Sequence, residues 1–280
     1  VDGCYAGARR FWQEPRGSAG GVMRAGLTVL ALIAAGPAAA GSILDRYAPH
    51  GCAIAPDAAR PEQAQRALAN GQAQEQGGWL VLGPEVCTMV PPDIETALKA
   101  TDEDVAPFFS AFDKYPDSPG CFLDAEALQR ILKVTRGWTE ERAYMEYIRS
   151  VAAGIFSGEL RFYKDTPLAT PVGFQLTTGT CGDVPSAKEL RESHADMIES
   201  FDPFIRSNAP YIPCEYGKQF DNVGWAERYA DLGQGAILNA WHSFEITFAL
   251  MGSDWIEGVS LTEKGTPRPP VCVPPDMLTQ

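Results

Sequence analysis

The sequence predicts an α+β protein: a mainly helical region with one β-hairpin, then a mixed or antiparallel sheet carrying one long amphipathic helix. Three observations predict it. Apolar residues recur at helical spacing along Tyr144–Phe156 and again along Ser186–Asn208. Two short runs between them, Glu159–Tyr163 and Val172–Thr178, have the composition of strands. Before the first helix, Gly-Gly and Gly-Pro pairs separate the apolar runs Trp79–Leu82 and Val86–Val90, the pattern of a hairpin.

The N-terminal stretch sets the chemical context. Met23–Ala40, MRAGLTVLALIAAGPAAA, has one charge at Arg24, an apolar run Leu27–Ala35, a Gly36-Pro37 break and three alanines before Gly41. That is the layout of a secretory signal peptide cleaved after Ala40. Its apolar run falls short of the about 20 residues that span a bilayer. Residues 1–22 show no periodicity and read as upstream read-through, with Met23 as the start. The chain then divides into 1–22, the signal peptide 23–40, a mainly helical region 41–157 and an α+β region 158–280 with a Pro-rich tail. A periplasmic or secreted location follows, with no transmembrane helix in the mature chain.

Composition narrows the function classes. Setting aside residues 1–40 removes four of the 23 basic residues and two of the 36 acidic ones, which leaves a net charge of −15. An acidic surface of that kind excludes nucleic acid, whose phosphates demand clustered Lys and Arg. Without Cys4, six cysteines remain: Cys52, Cys87, Cys121, Cys181, Cys214 and Cys272. An even count in an exported chain reads as three disulfides, and no pair has zinc-ligand spacing. Cys52 is expected to pair with Cys87. Cys181 is not expected to pair with Cys214, because the helix between them separates its ends by about 30 Å while bridged Cα atoms lie within about 7 Å. Cys121–Cys181 and Cys214–Cys272 are the preferred remainder.

Taken in order, Ser42–Tyr47 begins with a helical turn, and Pro61 opens a helix that Gly71 stops. Pro91-Pro92 leads into expected helices at Asp93–Ala100 and Asp102–Phe112. The loop Asp113–Gly120 offers carboxylates but lacks the ligand spacing and central glycine of a calcium loop. Asp124 is placed to cap a helix to Arg136, and Thr139 to cap the next. Ser186–Asn208 is the long amphipathic helix, with Pro203 inside it. A further helix is expected at Asn222–Leu232. Ile237–Met251 matches a strand: Leu238, Ala240, His242, Phe244, Ile246, Phe248 and Leu250 alternate to one side, and Trp255–Leu261 would be its hairpin partner. On that reading His242 and Glu245 point apart and form no joint site.

Chemistry is sparse. The chain has His50, His194 and His242 only, and no GxSxG, HExxH, P-loop or GxGxxG motif. Ser193, His194 and Asp196 are the residue types of a triad, but consecutive helical residues diverge. His194, His242 and Glu245 remain as catalytic candidates; no metal site and no cofactor is expected. The function expected is that of a binding or interaction module for an unknown protein or a small apolar ligand, offered by aromatics such as Trp138, Trp255, Phe108, Phe109 and Phe174. The alternative is a periplasmic or secreted hydrolase using His194 or His242 with carboxylates.

Overall fold

Gly77 and Gly78 both adopt positive φ, 56° and 83°, which a side chain would disfavour and which a two-residue hairpin turn requires. In the computed structural model they join β2 (Ala73–Gln76) to β3 (Trp79–Leu82), with Gln76 opposite Trp79. A third strand, β1 (Ala53–Ile54), pairs antiparallel with the other side of β3. The hairpin expected around Gly83-Pro84 is therefore displaced: Val86–Val90 is not a strand. The amides of Val86 and Cys87 both donate to the Gly83 carbonyl and turn the chain away from the sheet. β2 was hidden by its polar composition, Ala-Gln-Glu-Gln, which suits a half-exposed edge strand. Residues 42–106, 122–124, 130, 132–162, 173–183, 185–209, 212–215, 233–258 and 265–273 are described.

Ahead of this sheet run a 3-10 turn (Asp45–His50) and, after β1, α1 (Glu62–Ala69), which begins just beyond Pro61. The Cys52–Cys87 disulfide is present, with Cα atoms 5.8 Å apart. Beyond it, the helix expected at Asp93–Ala100 is absent. Residues 91–99 have no regular secondary structure, 100–105 are turns and bends, and 106 is helical; the rest of the helix expected at Asp102–Phe112 lies outside the described residues. Asp124 closes the short strand β4 (Phe122–Asp124) instead of capping a helix, although residues 132–135 are helical. Thr139 caps α2 (Glu140–Ser157) as expected, its hydroxyl accepting from the Arg142 amide at 3.2 Å.

β5 (Leu160–Phe162) and β6 (Gly173–Leu176) form the second antiparallel sheet with β4, in the order β4-β6-β5. The long helix α3 spans Pro185–Asn208. Gly233–Gly252 is a helix, α4, which corrects the strand expected at Ile237–Met251. Ten of those fifteen positions are apolar and the five polar ones are scattered among them, so a period of two and a period of 3.6 both find support, and the length of the run favours a helix. A helix this apolar belongs in the interior, and α4 packs along α2, with α3 and β5 also against it. Residues 255–258 are not a strand. The core is one continuous cluster drawn from both halves of the chain.

The tail is pinned by a parallel bridge between Pro213 and Val273 and by the Cys214–Cys272 disulfide. Cys181 is disulfide-bonded too, to a partner outside the described residues, so it does not pair with Cys214. Among the described residues, no helix is long and apolar enough to cross a membrane. The expected signal peptide and the segment before it lie outside the described residues. So do Cys121, the loop 113–120, Phe108, Phe109 and the helix expected at 222–232.

Candidate functional site

Arg161 sits on β5 between Leu160 and Phe162, a charge in a buried three-residue strand. Glu245 is a carboxylate in the long apolar helix α4. Each needs the other. Nε of Arg161 donates to Glu245 Oε1 at 2.8 Å and Nη2 donates to Oε2, while the Phe162 amide donates to Oε1 at 3.0 Å. Nη1 donates to the Leu190 carbonyl at 2.7 Å and to Ser193 Oγ at 3.2 Å, both on α3. Only 1% of either residue is exposed. This ion pair ties β5, α3 and α4 together. Its donors and acceptors are engaged within the protein, so it offers little to a substrate.

The two candidate histidines flank this pair. His194, on α3, lies with Nε2 3.0 Å from the carbonyl oxygen of Phe156, so the ring N–H donates to an unpaired carbonyl of the last turn of α2. Its ring rests on Gly158, the left-handed residue that ends α2 at φ +77°; a Cβ there would come within 2.9 Å of the imidazole. Burial lowers the His194 pKa; its bond to Phe156 opposes this, and the Arg161 charge adds to the lowering. His242, on α4, is 6% exposed, and its Nε2 has no hydrogen-bond partner among the described residues. Burial first, then the charge of Arg161, pushes its pKa down to about 4. Asp196 pulls the other way and His194 adds to the lowering.

The helix therefore brings His242 and Glu245 one turn apart, where a strand would have opposed them. Even so, Glu245 is taken up by Arg161 and Phe162, and no hydrogen bond joins it to His242. Ser193 donates to the Leu190 carbonyl, not to His194. His50 ends the 3-10 turn, exposed. No group of three His, Cys, Asp or Glu side chains among the described residues is placed to hold a metal ion. Phe174 and Trp255 are core residues, and Trp138 lies beneath the guanidinium groups of Arg136 and Arg142. Arg161 was the residue missed. Its signal was mutual: one charge in an apolar strand and one of opposite sign in an apolar helix.

The open feature lies elsewhere. The segment 91–100, which has no regular secondary structure, lies beside α2 as a strap anchored at both ends. At its start, the Met89 amide donates to Asp202 on α3 at 2.7 Å, and Asp202 is held by Arg206, which also reaches the Leu82 and Cys87 carbonyls. At its end, Ala97 is gripped from two sides. Its N–H donates to Glu146 of α2 at 2.7 Å, and its C=O accepts from Arg136 at 3.0 Å. Arg136 is itself clasped by Asp102 and Asp104, which hold its pKa above the ordinary value. Between the anchors lies a groove of about 810 Å³. The strap forms one wall, and Ser150, Ala153, Gly154 and Ser157 of α2 line the other. Those positions share one helix face, and their small side chains leave the hollow open. A second hollow of about 580 Å³ lies on the other side of Asp93–Thr96, towards Glu146 and Asp254.

Fold and site together define an α+β protein with a buried ionic core and a strap-walled groove. The chain matches no protein family profile, no curated protein and no solved structure.

Proposed function

We propose that this protein is an exported, disulfide-stabilised binding module whose ligand site is the groove between the strap and α2. One observation carries the reading. The groove of about 810 Å³ is of ligand size, whereas His242 and Glu245 are buried and His194 is half-buried, with His194 and Glu245 engaged by protein groups. Export is supported by the layout of Met23–Ala40 and by the disulfides, which suit an oxidising compartment. The hydrolase alternative has less support, since a general base must reach a substrate proton and His242 faces no described hollow. The test is a thermal-shift survey of small polar and apolar compounds against the wild type and Ala153→Leu, whose larger side chain fills the groove. The expected result is stabilisation by some compounds that the variant loses. Stabilisation that persists in Ala153→Leu and vanishes in His242→Gln would favour the hydrolase reading.

A further inference from the structure

We infer that a further hollow, between the β2–β3 turn and the C-terminal tail, binds a neutral sugar: a pyranose ring stacked on Trp79. This site is separate from the groove beside α2, and the inference does not depend on that groove.

Trp79 opens β3, half-buried, ahead of the buried residues Leu80, Val81 and Leu82. Trp138 and Trp255 pack on the core, but Trp79 does not. Among the described residues its indole makes no hydrogen bond and no ring contact. It lines a hollow of about 380 Å³ instead, at the small end of the range of ligand pockets. A tryptophan half-covered outside the core presents an apolar face with a polar N–H at its edge. The facing wall is the tail, and it is fixed from several sides. The Cys214–Cys272 disulfide lines the hollow, the Cys214 amide donates to the Val273 carbonyl at 3.0 Å, and the Val273 amide donates to the Ile212 carbonyl at 2.7 Å. The Gly265 amide donates to Glu257 Oε1 at 3.0 Å. Pro269 and Val271 press on Gly51, where an added Cβ would lie 2.9 Å from Val271 and 3.1 Å from Pro269. A wall held this way costs a ligand little ordering.

The polar groups at the hollow set the class of ligand. The Gln76 amide, the Thr266 hydroxyl and the second carboxylate oxygen of Glu257 make no hydrogen bond within the described residues. Together they offer donors and acceptors in one place. Glu215 and Glu257 against Arg268 sum to one negative charge, so the lining favours no strongly ionic ligand of either sign. A pyranose matches this set. Its C–H face lies flat on the indole, and each of its hydroxyls both donates and accepts. A purely apolar ligand would strip water from Gln76, Thr266 and Glu257 and leave them unpaired. An open-chain polyol would pair them but has no flat face for Trp79.

The probes are the methyl glycosides of glucose, galactose, mannose and N-acetylglucosamine, titrated into the disulfide-intact chain and followed by protein-observed NMR. Cyclohexanol, glycerol and choline serve as the apolar, open-chain and cationic controls. At least one glycoside is expected to shift the Trp79 indole N–H and the amides of Gly77, Gly265 and Thr266, and the controls are not. Trp79→Ala should weaken that binding about tenfold or more, with the melting temperature close to that of the wild type. Trp79→Phe should keep part of the affinity, and Gln76→Ala should weaken it several-fold. No shift at these positions with any of the four glycosides overturns the inference. So does cyclohexanol, glycerol or choline shifting them as strongly as the best glycoside, or full affinity in both Trp79→Ala and Gln76→Ala. The groove is tested apart from this site. Ala153→Leu should leave glycoside binding unchanged, and its loss there would place the sugar in the groove and overturn the site at Trp79.

Discussion

Arg161 and Glu245 lie 84 positions apart in the sequence, and their side chains meet as a two-pronged ion pair sealed in the interior. Removing one partner of such a pair strands the other charge, at a cost of about 3–5 kcal/mol, while replacing both with apolar residues is often close to neutral. Arg161→Met and Glu245→Leu alone should each destabilise by that amount. The double variant should recover a large part of the loss. Urea unfolding of the four proteins in a double-mutant cycle measures the coupling; additive single effects would mean that the pair does not act as a unit.

His242 makes stability depend on acidity. Its folded pKa, about 4, lies below the ordinary 6.5 of an unfolded histidine, so the unfolded chain binds more protons as pH falls between those values. Stability is therefore complete above the unfolded value and is lost on acidification through the window, by at most about 3 kcal/mol at its lower end and less where solvent screens the ring. His194 shifts in the same direction. His242→Gln should flatten the slope of unfolding free energy between neutral pH and pH about 4. An unchanged slope in that variant would assign the effect elsewhere.

The strap depends on Glu146. Its carboxylate accepts from the Ala97 amide and from Thr96 Oγ1, and a hydrogen bond to a charged group contributes about 1.5–3 kcal/mol. In Glu146→Ala, amide exchange at Ala97 should quicken by about 10- to 100-fold, while amides of α4 keep their protection. Uniform acceleration across the chain would show general destabilisation in place of a local release.

Gly252, near the end of α4, marks a close approach of α4 to α2. A Cβ there would overlap the Ala152 side chain and lie 2.9 Å from the Ile148 carbonyl oxygen. Gly252→Ala should cost about 1–3 kcal/mol as an overpacked contact, read as a lower urea midpoint. The same change at Gly71, where φ is +72° but nothing lies near the added Cβ, should cost less.

Where local chemistry decides, the sequence was legible. Thr139 announced the start of α2, the periodicity of 186–208 announced α3, and the Cys52–Cys87 bond is the expected one, although the second hairpin strand on which that expectation rested is not a strand. The α+β class follows from those elements and the β5 and β6 runs. What the sequence hid was set by tertiary contacts. α4 is mostly apolar and its polar residues are scattered and buried, so its period did not separate helix from strand until α2 was seen beside it. The strap has a helix-compatible composition, yet Glu146 and Arg136 hold the Ala97 peptide from either side, and neither bond could be read locally. For the candidate site, His194 and His242 were identified, but Arg161, which takes Glu245 away from them, was not.

Protein-observed NMR with a small library of polar, apolar, cationic and anionic fragments tests the central claim most directly. The account predicts that binding shifts converge on the amides of Thr96, Ser150, Ala153 and Ser157, around the groove, and spare Ser193, His242 and Glu245. Shifts gathered instead at His194 and His242, with the strap unperturbed, would contradict it.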